Sequence, residues 1–180
     1  MFTLEQYACK QIDPLYRKMN QIPIDHVLQA VERAASPSNY YVLVLVVAPS
    51  SEEKTALLRT VAERLKATYI NASMALGQRL LELPARQRAI RVQRLLDDVI
   101  GRDTAAVCLD NLELLFEPSL QTQPLGVLKQ LSRKRIVVAS WSGRVENGWL
   151  IYAKPGHPEY VQESVRDLII VQPGLETAAG

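Results

Sequence analysis

The hydrophobic residues of this chain change their period in a repeating order. Between residues 4 and 35 they fall at roughly helical spacing, interrupted by Pro14 and Pro23, which predicts two or three short helices. Ser36-Pro37-Ser38-Asn39 follows as a turn. Residues 40–47 form an unbroken β-branched and aromatic run, the pattern of a central strand buried on both faces. A helical pattern at 56–65 comes next, then a short strand at 68–72, helical stretches at 74–83 and 84–100, and a third strand at 104–109 that ends on Asp110. A helix at 119–132, its bounds blurred by Pro124 and Gly126, precedes a β-branched strand at 135–140, and a last strand falls at 167–171. Residues 141–162 read as a Gly- and Pro-punctuated hairpin, extended at 149–152 and 160–161.

Strands alternating with helices predict an α/β fold, with a mostly parallel five-stranded sheet, flanking helices and right-handed crossovers. The expected organisation is one domain, with N-terminal helices over 1–35, a core over 40–180 and the β-hairpin inserted before the last strand. At 180 residues and 48% hydrophobic content, one sizeable core suffices.

The segment between the first strand and the next helix carries the candidate chemistry. A phosphate-binding loop curls backbone N–H groups around phosphates at a helix N-terminus, while a Lys reaches the terminal phosphates and a Ser or Thr hydroxyl helps hold Mg²⁺. Ala48-Pro49-Ser50-Ser51-Glu52-Glu53-Lys54-Thr55 places Lys54 and Thr55 in register with that motif, but puts Ala48 and Glu53 where it has glycine. A side chain at the second glycine position costs about 1 kcal/mol where a positive φ is needed. The Glu53 carboxylate would also repel phosphate oxygens, by roughly a few kcal/mol at an effective dielectric of ~20. Read instead as an ordinary helix start, Glu52 and Glu53 are favoured in the first turn by the macrodipole.

The apolar strand ending in Asp110 supports the phosphate-loop reading, because a carboxylate placed there binds Mg²⁺ directly or through water. On this reading the fold is of the P-loop NTPase type, ATP and Mg²⁺ are the expected cofactors, and Thr55 and Asp110 hold the metal. Where a strand is added between loop and Mg²⁺ strand, an acid commonly follows that Asp; here Asn111 follows, and it cannot act as a base. Glu113 is the nearest substitute, with Asp110 the other catalytic candidate, although Glu113 also suits a solvated turn. Ser140, at the end of the fourth strand, takes the place of a γ-phosphate sensor or of a strand-end cap.

Charge adds little to this. With 21 basic and 19 acidic side chains the net charge is +2, which excludes a nucleic-acid footprint over the whole surface but not a local basic patch. Arg86, Arg88, Arg91 and Arg94 line a predicted helix, as a solvated face or as a source of a guanidinium acting in trans. Arg133-Lys134-Arg135 is a polar turn or a contact to phosphate of nucleotide or DNA. His157 lacks the companions of a metal site, and its loop, Lys154 to Tyr160, suits a partner contact. Cys9 and Cys108 read as reduced thiols. No run approaches the ~20 apolar residues needed to cross a bilayer, so a cytoplasmic protein without membrane contact is expected.

The second half of the chain resembles the BrxF family, the small P-loop proteins of type 3 BREX bacteriophage-defence systems. The resemblance is carried by Leu80-Leu81-Glu82-Leu83 with Arg86-Gln87-Arg88, and by Leu109-Asp110-Asn111-Leu112-Glu113-Leu114-Leu115-Phe116-Glu117-Pro118-Ser119-Leu120. It continues in Leu131-Ser132-Arg133-Lys134-Arg135, in Val138-Ala139-Ser140-Trp141-Ser142-Gly143 and in Tyr152-Ala153-Lys154-Pro155-Gly156-His157-Pro158-Glu159-Tyr160. The resemblance implies nucleotide binding at the loop and a place in a multi-protein complex that blocks phage replication and marks host DNA by methylation. The partners it implies are the other BREX proteins, with a homo-oligomer left open and DNA contacted indirectly. Three roles stay open: a subunit with a degenerate loop that binds ATP weakly for structural or regulatory ends, an ATPase completed by a partner subunit, and a nucleotide-independent interaction module.

Overall fold

The computed structural model describes residues 22–48 and 51–173. The helices expected before residue 22, and Pro49 and Ser50 of the candidate loop, lie outside the described residues.

Five parallel strands form one sheet: β1 (Leu43–Val47), β2 (Thr68–Asn71), β3 (Ala106–Asp110), β4 (Ile136–Trp141) and β8 (Ile169–Val171), in the order β2-β3-β4-β1-β8. Helices cover both faces, which explains why β1 is apolar at every position. Val44 and Val46 pack toward α1 (Ile24–Ala34) and α2 (Ser51–Leu65), while Leu43, Leu45 and Val47 pack toward α3 (Ala72–Leu81), α4 (Ala85–Ile100) and α5 (Pro124–Leu131). Side chains alternate across a strand, so a strand clad on both sides has no polar positions to show.

Several local expectations change. The helix expected at 119–132 begins only at Pro124, and 3₁₀ turns at Glu113–Phe116 and Pro118–Leu120 precede it. Proline has no N–H to donate and so suits a first helical position, which makes Pro124 a start and not an interruption. The helix expected from 56 starts at Ser51, five residues earlier. The hairpin is also re-drawn, as a three-stranded antiparallel sheet of β5 (Gly143–Glu146), β6 (Trp149–Tyr152) and β7 (Val161–Ser164). Its first turn is Asn147-Gly148, with φ of 50° and 78°, the two positive values that a tight two-residue hairpin turn requires.

This small sheet is fastened beneath the C-terminal end of β4. Trp141 is fully buried, donates from Nε1 to the Ile151 carbonyl at 3.3 Å, and meets Phe116 edge-on at 5.0 Å. Phe116 stacks in turn on Tyr152 at 3.7 Å. Gly143 is required at the junction, since a Cβ there would lie 2.0 Å from the Ile151 carbonyl oxygen.

Candidate functional site

The register of the sheet assembles the site. Cys108 faces α2, and so, two residues on, does Asp110; the parallel neighbours Val138 and Tyr69 mark the same face of β4 and β2, and Ser140 continues it. α2 lies over that face and brings Lys54 and Thr55, from its first turns, down onto Asp110.

Asp110 is 1% exposed and accepts four hydrogen bonds. Thr55 Oγ1 donates to Oδ2 at 2.5 Å and Tyr69 Oη at 2.8 Å, while Ser140 Oγ donates to Oδ1 at 2.7 Å and the Asn111 N–H at 3.0 Å. Burial disfavours the charged carboxylate, but these four donors outweigh it and hold its pKa below the ordinary value. Burial together with the bond to Asp110 pushes the Tyr69 hydroxyl up. Asn111 adopts the left-handed conformation, φ 53°, which Asn tolerates; its N–H also meets Ser140 Oγ at 3.3 Å and its carbonyl accepts from the Ser73 N–H at 2.9 Å.

Lys54 is 2% exposed, and Nζ donates to Ser142 Oγ at 2.8 Å; Ser142 Oγ donates to Glu113 Oε1 at 2.7 Å. Burial lowers the Lys54 pKa, opposed by the fields of Glu113 and Asp110. The cluster thus holds one cation against two carboxylates.

The structure brings together Lys54, Thr55, Asp110, Glu113 and Ser140. Ser140 spends its hydroxyl on Asp110 beneath the surface, whereas Ser142 takes the place beside Lys54. Ala48 is buried at the end of β1, and Glu52 and Glu53 are exposed in the first turn of α2. Glu53 is helical, so the strain expected of a non-glycine residue with positive φ does not arise. Ser142 and Tyr69 were not singled out by the sequence. Their signal is positional: Ser142 lies two residues beyond Ser140, on the same side of the chain, and Tyr69 two residues before the register partner of Asp110.

The other candidates lie apart. Arg86, Arg91 and Arg94 are exposed on α4, and Arg88 Nε donates to the Leu83 carbonyl at 3.1 Å. Arg135 is buried and bound to Asp97 at 2.7 Å and to the Gly101 carbonyl at 2.8 Å, so this member of the basic triplet is structural. His157 is exposed, and its Nδ1 accepts from the Glu159 N–H at 3.2 Å within its own turn.

The donor set suits a hard cation. Thr55 Oγ1 and Asp110 are oxygen donors of the kind Mg²⁺ prefers, but the protein's own donors fill the four acceptor positions of Asp110, so it would hold a metal-bound water only on releasing one of them. Among the described residues no group of three or more His, Cys, Asp or Glu side chains is placed to hold a metal. Among the described residues, too, no helix is long and apolar enough to cross a membrane. Comparison with protein-family models, with curated proteins and with solved structures finds no match to this chain.

Proposed function

We propose that this chain is a P-loop NTPase-type subunit of a BREX-like bacteriophage-defence complex. In this reading it takes up Mg²⁺-bound ATP weakly at the β1–α2 junction and uses it structurally or as a signal. The observation that carries the reading is the 2.5 Å bond from Thr55 to Asp110, which joins the start of α2 to the end of β3. The strand order supports it, since β4 lies between loop-bearing β1 and Asp110-bearing β3, as in the P-loop subclass with an added strand. Membership in a defence complex rests on the BrxF resemblance.

Weak uptake follows from two features. Glu52 and Glu53 stand at the helix start. The Lys54, Asp110 and Glu113 cluster is one charge negative, which favours a metal-bound triphosphate over a free one. Mg²⁺ held there would supply positive charge that offsets the phosphates. Lys54 would meet the terminal phosphates, Thr55 and Asp110 would hold the metal and its water, and Ser142 would report whether Lys54 has moved.

Hydrolysis is not part of the proposal, because Asn111 cannot take a proton and Glu113 is committed to Ser142. The closed Lys54–Ser142–Glu113 chain favours one competing reading, an interaction module whose lysine is satisfied without any ligand. Calorimetric titration with ATP and Mg²⁺ separates the two: heat that Lys54→Ala abolishes supports uptake, and no heat at millimolar nucleotide supports the module.

A further inference from the structure

The opposite end of the sheet gathers a different set of groups. Tyr40 lies before β1 and Arg133 and Lys134 before β4, one strand length, about 16 Å, from the Lys54 end. Tyr40 is 68% exposed; Tyr41 meets it edge-on at 4.9 Å, and the Arg133 guanidinium lies over it at 5.0 Å. Lys129 stands over Tyr41 at 5.7 Å. Arg133 and Lys134 also line an open cavity of about 440 Å³ between α4 and the end of α5, with Arg94 on its far wall.

The carboxylates nearby do not cancel these charges. Asp97 is matched by buried Arg135 at 2.7 Å, and Asp98 stands 4.0 Å from Arg94 in an exposed, weakly coupled pair. With Arg135 and Arg94 set against those two carboxylates, Lys129, Arg133 and Lys134 remain as cations beside the two rings and the cavity.

We propose that this surface binds single-stranded nucleic acid, with Tyr40 stacking on an unpaired base and Arg94, Arg133 and Lys134 meeting the phosphates on either side. Cations alone would suit an acidic peptide or a duplex backbone equally. The exposed ring distinguishes the single strand, because its bases are free to stack and every base has a π-face. Two neighbours already orient Tyr40, so stacking orders little that is mobile. The cavity gives the adjoining phosphate a polar recess. The surface is separate from the nucleotide site and does not depend on it.

Fluorescence anisotropy of a labelled twelve-nucleotide oligothymidine, against a duplex of the same length and against polyglutamate as competitor, tests this on the full chain. Tyr40→Ala is expected to weaken single-strand binding about tenfold, within the range for loss of one stacked base, and to leave duplex binding unchanged. Arg133→Ala with Lys134→Ala is expected to weaken it further and to flatten the salt dependence by about 1.4 in logarithmic slope, two phosphate contacts at ~0.7 each. All three substituted residues of the patch are exposed, and circular dichroism confirms that the variants fold. The proposal is overturned if no binding is seen at low salt, if Tyr40→Ala changes nothing, or if polyglutamate displaces the strand as well as unlabelled oligothymidine does.

Discussion

Lys54 Nζ donates to Ser142 Oγ at 2.8 Å, a bond that ties the first turns of α2 to the residue joining β4 to the antiparallel sheet. Ser142 is in turn bound to Glu113, so the lysine that would meet phosphate is held inside a chain of the protein's own groups. Drawing Lys54 toward a ligand therefore has to break a contact at the root of β5. That places the small sheet, with its exposed turn around His157, where it would register occupancy.

Ser142→Ala removes this tether. If the tether opposes uptake, the variant binds ATP with Mg²⁺ about tenfold more tightly, the value of one charge-assisted hydrogen bond. Calorimetry measures it directly, and weaker binding would mean that Ser142 touches the nucleotide itself.

Thr55→Ala takes one donor from a buried carboxylate. The expected loss is about 1–2 kcal/mol of stability in urea denaturation, since Asp110 keeps its other three donors. Thr55→Ser keeps the hydroxyl and should recover most of the loss.

The lowered pKa of Asp110 has a definite sign. Its ordinary value is 3.8, and the folded value is lower, so its contribution to stability is fully present above 3.8 and is lost as pH falls through the folded value. Asp110→Asn should be less stable than the parent at neutral pH, and the gap between them should narrow below pH 3.8. Thermal melts across that range check it; a constant gap would contradict the assignment.

Gly143→Ala introduces a Cβ 2.0 Å from the Ile151 carbonyl oxygen, a backbone atom that cannot step aside without opening the β5–β6 pairing. A loss of at least about 2 kcal/mol is expected. Gly148→Ala is a useful contrast, since no atom lies within 4 Å of its added Cβ and only the positive φ of 78° opposes it.

What the sequence made legible follows from how local each signal is. The apolar run of β1 and the Asp110 strand could be read because burial on both faces leaves no polar position, whatever the neighbours are. The start of α2 could not, because Ser51-Glu52-Glu53 satisfies a loop motif and a helix first turn equally well, and tertiary packing decides between them. Pro124 blurs the bound of its helix in the sequence, and its missing N–H suits the start at which the structure places it. Asn147-Gly148 carries the local signal of a two-residue hairpin turn, which the more conspicuous Pro-Gly-His-Pro segment overshadows. Ser142 and Tyr69 depend on contacts that span 88 and 41 positions of sequence, which only the assembled fold brings together.

The most direct test is a calorimetric titration of ATP with Mg²⁺ into the full chain, its Lys54→Ala variant and its Glu53→Gly variant. A weak exothermic isotherm that requires Mg²⁺, vanishes with Lys54→Ala and tightens with Glu53→Gly is the predicted result. No heat from the parent at millimolar nucleotide, with none gained in Glu53→Gly, would contradict the account and leave the Lys54, Thr55 and Asp110 cluster as a structural clasp.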